Sequence, residues 1–185
     1  MSLYINGKRL VTIDDLYSML GITNLLTDDE MNIANTIKSP AAQKAISNVS
    51  YSNEINNFHY CGRAGYEVFT WKLKVTPNTN YKLLILANST TQMPYLDPNA
   101  PYLPWIISST PDASSTNMAN WHMPTPWSGN QQGELRFNSQ NYSEVYLVAN
   151  FGYLADAIDT DIQLKIEMLK ADSLQDQINA LKSNR

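Results

Sequence analysis

The chain has 185 residues, of which 43% are hydrophobic and 10% aromatic, enough to bury a proper core and to exclude disorder for most of its length. Charged residues make up only 16%, the formal net charge is −4 and the pI about 5.1, with Lys and Arg scattered singly apart from the pair Lys8-Arg9. That distribution leaves no electrostatic footprint for a nucleic-acid backbone or an anionic membrane, so no nucleic-acid partner is expected.

Twenty asparagines and 11 tyrosines imply a surface that is polar but largely uncharged. The single cysteine, Cys61, excludes an intramolecular disulfide and any Cys-based zinc site, so stability must come from packing or assembly. No run approaches the roughly 18 consecutive apolar residues of a membrane span, and no basic-then-apolar signal opens the sequence. No membrane insertion is expected, and the chain is expected to fold in a cytoplasm.

Residues 1–47 read as short helical or irregular pieces. Thr12 precedes Ile13, Leu16 and Leu20 at helical spacing, with Gly21 as a stop, which predicts a two-turn helix from Ile13 to Leu20. Thr27 with Glu30 has the spacing of a capping box before Ile33 and Ile37, and Ser39-Pro40 opens a third short helix through Ala41 to Ile46.

Residues 48–170 read as a β-sandwich. In Val68 to Val75, Phe69, Trp71, Leu73 and Val75 share one face while Thr70, Lys72 and Lys74 share the other, the alternation of a half-buried strand. Thr76-Pro77-Asn78-Thr79-Asn80 makes a turn, because proline fixes φ and asparagine tolerates the left-handed region. Tyr81 to Ala87 resumes as a strand that is apolar on both faces around Leu83 to Leu86, which argues for a central position. Further strands are expected around Leu135 and Phe137, over Val145 to Phe151 and over Asp161 to Leu169. Strands in succession without long helices between them predict a mainly β, antiparallel sandwich. Its expected core includes Phe69, Trp71, Leu73, Leu83, Ile85, Leu147, Ile162, Leu164 and Ile166.

Met93 to Gly129 differs in composition, holding seven of the nine prolines and three of the four tryptophans. Apart from a strand at Trp105 to Ser109 it is expected to be mostly loop, since proline cannot donate to a ladder. After Leu169, Ala171, Leu174, Ile178 and Leu181 fall at spacings of 3, 4 and 3, a heptad seam. Residues 171–185 are therefore expected to form a C-terminal oligomerisation helix, or else a helix folded back on its own domain.

Catalysis finds little support. His59 and His122 sit in no metal-ligand or nucleophile motif, Cys61 near His59 is expected to be a buried structural residue, and no glycine-rich phosphate loop occurs. Asp156, Asp159 and Asp161 cluster ahead of the last strand, where calcium or simple turn hydrogen bonding would both account for them. Glu134 with one of these could be paired as in a glycosidase, but any sequence of this length offers such pairs. No catalytic residue, no metal site and no cofactor is assigned.

The aromatic segment carries the strongest functional signal. Sugars present apolar C–H faces and a ring of hydroxyls, so their sites combine flat aromatic platforms with neutral hydrogen-bonding groups. Tyr95, Tyr102, Trp105, Trp121 and Trp127 are candidate platforms, and His122, Asn99, Asn117, Asn120, Asn130, Gln131 and Gln132 are candidate polar partners. The alternative is that these tryptophans belong to the core or to a subunit interface.

Three stretches carry a family resemblance. Tyr66 through Leu83, with its strand, V-x-P-x-T-x-Y, strand pattern, resembles a hairpin of carbohydrate-binding-module-like jelly rolls. Asn24-Leu25-Leu26 is similar to the "NLL" opening of copies of that module in bacteriophage tail proteins, and Asp161 to Lys170 resembles the module's last strand. The resemblance spans Asn24 to Lys170 and implies a jelly roll on a phage tail or baseplate protein, a virion component assembled in the host cytoplasm. It further implies attachment to host cell-wall saccharide, contacts with other tail or baseplate proteins, and a homo-oligomer, a trimer being favoured. The competing expectations are a purely structural virion protein whose jelly roll mediates subunit contacts, and a cell-wall glycan hydrolase.

Overall fold

The period-two alternation of the sequence becomes two five-stranded antiparallel sheets. The computed structural model describes residues 4–5, 8–9, 24–62, 67–93, 102–114, 117–124, 127–151 and 158–171, with the side chains at 4–5, 8–9, 92–93, 102–104, 122–124, 127 and 158 left aside. In chain order the elements are β1 (Tyr4–Ile5), β2 (Lys8–Arg9), α1 (Asp28–Met31), a 3-10 turn (Ile33–Asn35), β3 (Ile37–Lys38), α2 (Pro40–Ala45), β4 (Ile46–Ser52) and β5 (Ile55–Gly62). Then follow β6 (Val68–Lys74), β7 (Asn80–Met93), β8 (Tyr102–Ser108), β9 (Asn117–Pro124), β10 (Trp127–Asn138), β11 (Glu144–Asn150) and β12 (Ile158–Lys170). One sheet has the order β10-β7-β12-β5-β4 and the other β3-β6-β11-β8-β9, while β1 and β2 pair with each other.

The inward rows of the two sheets form one apolar core. All nine residues expected there, from Phe69 to Ile166, are at most 1% exposed. The centre is aromatic: Trp71 stacks on Trp105 with centroids 6.0 Å apart at 17°, and Phe151 meets Phe69 and Trp105 edge-on at 5.2 and 5.4 Å.

The segment from Asn24 to Ala45 is built into the sandwich. Leu26, Met31, Ile33, Ala42 and Ala45 are all buried in the same core. Beyond Leu164, β12 has no further β5 partner, and Asn24-Leu25 takes that place: Leu25 N–H donates to Met168 O at 2.9 Å, and Asn24 Oδ1 accepts from Met168 N–H at 3.0 Å. Both caps read from the sequence are present. Thr27 and Glu30 form a complete capping box, and Ser39 accepts from Ala42 N–H ahead of Pro40. The helix expected over Ile13 to Leu20 lies outside the described residues, as does the C-terminal helix beyond Ala171.

Three expectations change. First, β6 and β7 are not hairpin partners: β6 pairs with β3 and β11, and β7 with β10 and β12, so the Pro77-Asn78 turn carries the chain from one sheet to the other. Asn78 takes the left-handed φ of 55° that its turn position called for. Second, β4 and β5 form a hairpin that alternation did not reveal. Its two-residue turn, Asn53-Glu54, has φ of 51° and 63°, the primed geometry that matches strand twist. Strand β5 is cryptic because its inward row is Asn56, Phe58, Tyr60 and Gly62, while Ile55 and Cys61 face outward. Cys61 is accordingly half-buried rather than a core thiol.

Third, the Pro/Trp segment is largely strand, contributing β8, β9 and the start of β10. The prolines fit because they fall where one side of a strand has no ladder neighbour: β9 is an edge strand, and β8 has a β11 partner only from Trp105 onward, past Pro104.

Candidate functional site

The outward row of each strand in the β10-β7-β12-β5-β4 sheet follows from the alternation that buries the inward row. Antiparallel register then decides which outward residues stand side by side. Asn130 pairs with Asn88, Asn88 with Gln163, Gln163 with Asn57, and Asn57 with Ser50. Four carboxamides and a hydroxyl thus cross all five strands in a single row. The adjoining row runs Gln132, Leu86, Lys165, with Leu86 40% exposed, and Ile55 lies beside it on β5. Asn130, Asn88 and Gln163 of the first row, the three residues of the second, Ile55 and Gln131 line a cavity of about 480 Å³ on the sheet face, and Asn57 and Ser50 continue the first row beyond it.

Most of the amides are free to bind something. Gln163 Nε2 donates to Asn57 Oδ1 at 3.1 Å, whereas the side chains of Asn88, Asn130, Gln131 and Gln132 hydrogen-bond to no described residue. The lysine in the groove is already paired: Lys165 Nζ lies 3.1 Å from Glu54 Oε2 and 2.5 Å from Glu167 Oε1. Partial burial works against the lysine's charge, but the two carboxylates outweigh it and hold its pKa above the ordinary value.

One row further along stands His59. Its Nδ1 lies 2.9 Å from Asp161 and its Nε2 2.9 Å from Asp159, so both ring nitrogens face carboxylates and its pKa is raised, chiefly by the hydrogen bond to Asp161. Asp159 and Asp161 therefore clasp an imidazole across the β5–β12 pair, and Asp156 lies outside the described residues. Among the described residues no cluster of three or more His, Cys, Asp or Glu is arranged to hold a metal ion.

Glu134 is bound to Lys82 at 2.6 Å and to Arg136 at 2.5 Å, and the lysine's hydrogen bond leads the effects that hold its carboxyl below the usual range. An ionised, doubly paired carboxylate is poorly suited to donate a proton to a leaving group.

The aromatic candidates divide. Trp105 is fully buried with one face on Trp71, so it is a core residue and offers no platform to a ligand. Trp121 is half-buried, 6.2 Å from Trp105, and its indole lies over Gly133 so closely that a Cβ there would sit 2.5 Å from Cδ2. This ring closes the sandwich between edge strands β9 and β10. Trp105 lies on the inward row of β8 at the aromatic centre of the core, and Trp121, its partner on β9, packs inward beside it. Tyr102, His122 and Trp127 lie on β8, β9 and β10, their side chains outside the described set, and Tyr95 lies outside the described residues altogether. Asn130, Gln131 and Gln132 do belong to the groove, and Asn88, Gln163, Leu86 and Lys165, none of them a candidate from the sequence, line it with them. Outward alternation in β7 and β12 was the available signal for them.

No family model matches the sequence, and no curated protein matches it. Solved structures do share the fold, two antiparallel sheets in a jelly-roll-like sandwich of the carbohydrate-binding-module type. One is a family 4 carbohydrate-binding module, 12% identical, aligned over 80% of this chain and 94% of its own with a TM-score of 0.52. Another is the enzymatically active domain of bacteriophage CBA120 tailspike protein 4, 14% identical over 80% of this chain with a TM-score of 0.51; the match spans 21% of that longer chain.

Proposed function

We propose that this chain is a non-enzymatic saccharide-binding protein of a phage tail or baseplate, attaching the virion to host cell-wall glycan through the outer face of the β10-β7-β12-β5-β4 sheet. The amide row Asn130, Asn88, Gln163, Asn57, Ser50 carries the reading. Carboxamides offer donor and acceptor together without charge, the complement of a ring of hydroxyls, and the row's direction across the strands suits an extended chain of sugars. The fold likeness to a carbohydrate-binding module supports the ligand class, and that to a tailspike domain supports the setting. The heptad seam of residues 171–185 supports a homotrimer. A shallow site of this kind exchanges water hydrogen bonds nearly evenly, so single-site affinity is expected on the order of millimolar to high micromolar, made firm by several copies per particle.

The test is a glycan array plus binding to host cells, using the parent protein, Gln163→Ala and Asn88→Ala. Loss of binding with an unchanged melting temperature supports the proposal. A parent protein that binds no glycan and no cell wall refutes it. A second reading, a structural protein that uses the sandwich for subunit contacts, is favoured by one observation: Trp105 and Trp121 are engaged inside the fold.

A further inference from the structure

Resting on the saccharide reading above, we infer that the groove selects a 2-acetamido sugar within a neutral oligosaccharide over an unsubstituted hexose. The argument starts from the floor. Leu86, 40% exposed, and Ile55 flank Lys165, and no described residue lining the cavity is aromatic. The flat C–H face of a plain pyranose is best covered by a ring, which supplies a broad planar contact. Exposed branched aliphatic carbon instead suits a small protruding apolar group; the acetamido methyl is such a group, and unlike the C6 methyl of a 6-deoxyhexose it arrives attached to an amide.

The amide row supplies the other half. An acetamido group carries one N–H donor and one C=O acceptor at fixed separation, and a row of side-chain carboxamides offers the matching acceptor and donor. Asn88 stands between Asn130 and Gln163 and directly beside Leu86 in the strand alternation, so a methyl seated on Leu86 brings its amide to Asn88, Gln132 and Gln163. A hydroxyl in that place makes one such bond without requiring the pairing, and leaves the leucine without a partner.

Charge disfavours an acidic sugar. With Glu54 and Glu167 on its ammonium, Lys165 gives such a sugar no free cation, and the two carboxylates leave the cluster with one negative charge in excess. Glu54 is held over the lysine from a φ of 63°, a left-handed conformation unusual for glutamate, within the β4–β5 turn.

Titration calorimetry with triacetylchitotriose and with cellotriose tests the inference, run on the parent protein, Leu86→Ala and Gln163→Ala. The expected result is that the parent prefers the acetylated trimer by about tenfold, or ~1.4 kcal/mol. Leu86→Ala, a change at an exposed position, should reduce that preference to about threefold or less with an unaltered melting temperature. Equal affinity for the two trimers, or array hits without acetamido groups, overturns the inference and leaves the saccharide reading standing. A preference that survives both substitutions also overturns it, because the selecting site is then elsewhere. If no oligosaccharide binds at all, the saccharide reading fails and the inference with it.

Discussion

Asn56 is the residue on which the N-terminal segment and the sandwich depend together, and its replacement by alanine should be among the costliest single polar changes in the chain. It is fully buried on the inward face of β5. Its Oδ1 accepts from Ile33 N–H at 2.7 Å, and its Nδ2 donates to Met31 O at 3.0 Å and to Leu164 O at 3.3 Å. Each such bond contributes about 1 kcal/mol net, and a buried donor left unpaired costs about 1–3 kcal/mol. Met31 O keeps a second partner in Trp71 Nε1 at 3.2 Å, so the uncompensated group is the Ile33 amide. The expected loss is therefore about 3 kcal/mol, or roughly 6–12 °C in melting temperature for a chain of this size. Urea denaturation followed by tryptophan fluorescence should show a lower midpoint at unchanged slope. Asn57→Ala, one residue on and facing solvent, should stay within about 0.5 kcal/mol of the parent. Asn56→Asp keeps the acceptor for Ile33 but turns the donor against two carbonyls, so it should be destabilised at neutral pH and recover as the carboxyl protonates. An Asn56→Ala protein as stable as Asn57→Ala would refute the reasoning.

Trp105→Ala should cost about 3–5 kcal/mol through loss of the stack on Trp71 and the cavity it leaves, and calorimetric melting checks this. Gly133→Ala pushes a methyl into the Trp121 ring and should cost about 1–3 kcal/mol, measured by denaturant midpoint; a neutral result would mean that Trp121 does not close the β9–β10 edge. His59 has a folded pKa above its ordinary 6.5, so its contribution is fully present below that value and is lost as pH rises through the folded one. Urea midpoints should therefore decline with rising pH above about 6.5, and His59→Gln should flatten that decline.

Several features were legible in the residues alone because their causes are local. The capping box at Thr27 and Glu30, the Ser39-Pro40 start, the Asn78 turn and the alternation in β6 and β12 each follow from the backbone and side-chain chemistry of a few consecutive positions. The same local logic hid β5, whose inward row holds Asn56 and Gly62 because a buried amide there ties down a distant segment. It also hid β9 and the start of β8, whose prolines are harmless only where a ladder neighbour is missing, while the strand read at Trp105 to Ser109 is the rest of β8.

The groove shows the division most sharply. Alternation alone puts Asn88, Gln163 and Asn57 on the outward faces of their strands. That they form one row depends on which strands are neighbours and in what register, and these pairings join residues 75 and 106 positions apart. A strand's outward face is set by its own period of two. Its neighbours are set by the packing of the whole core, which turns Trp105 and Trp121 inward on one sheet and brings the amides of four strands into a single row on the outer face of the other.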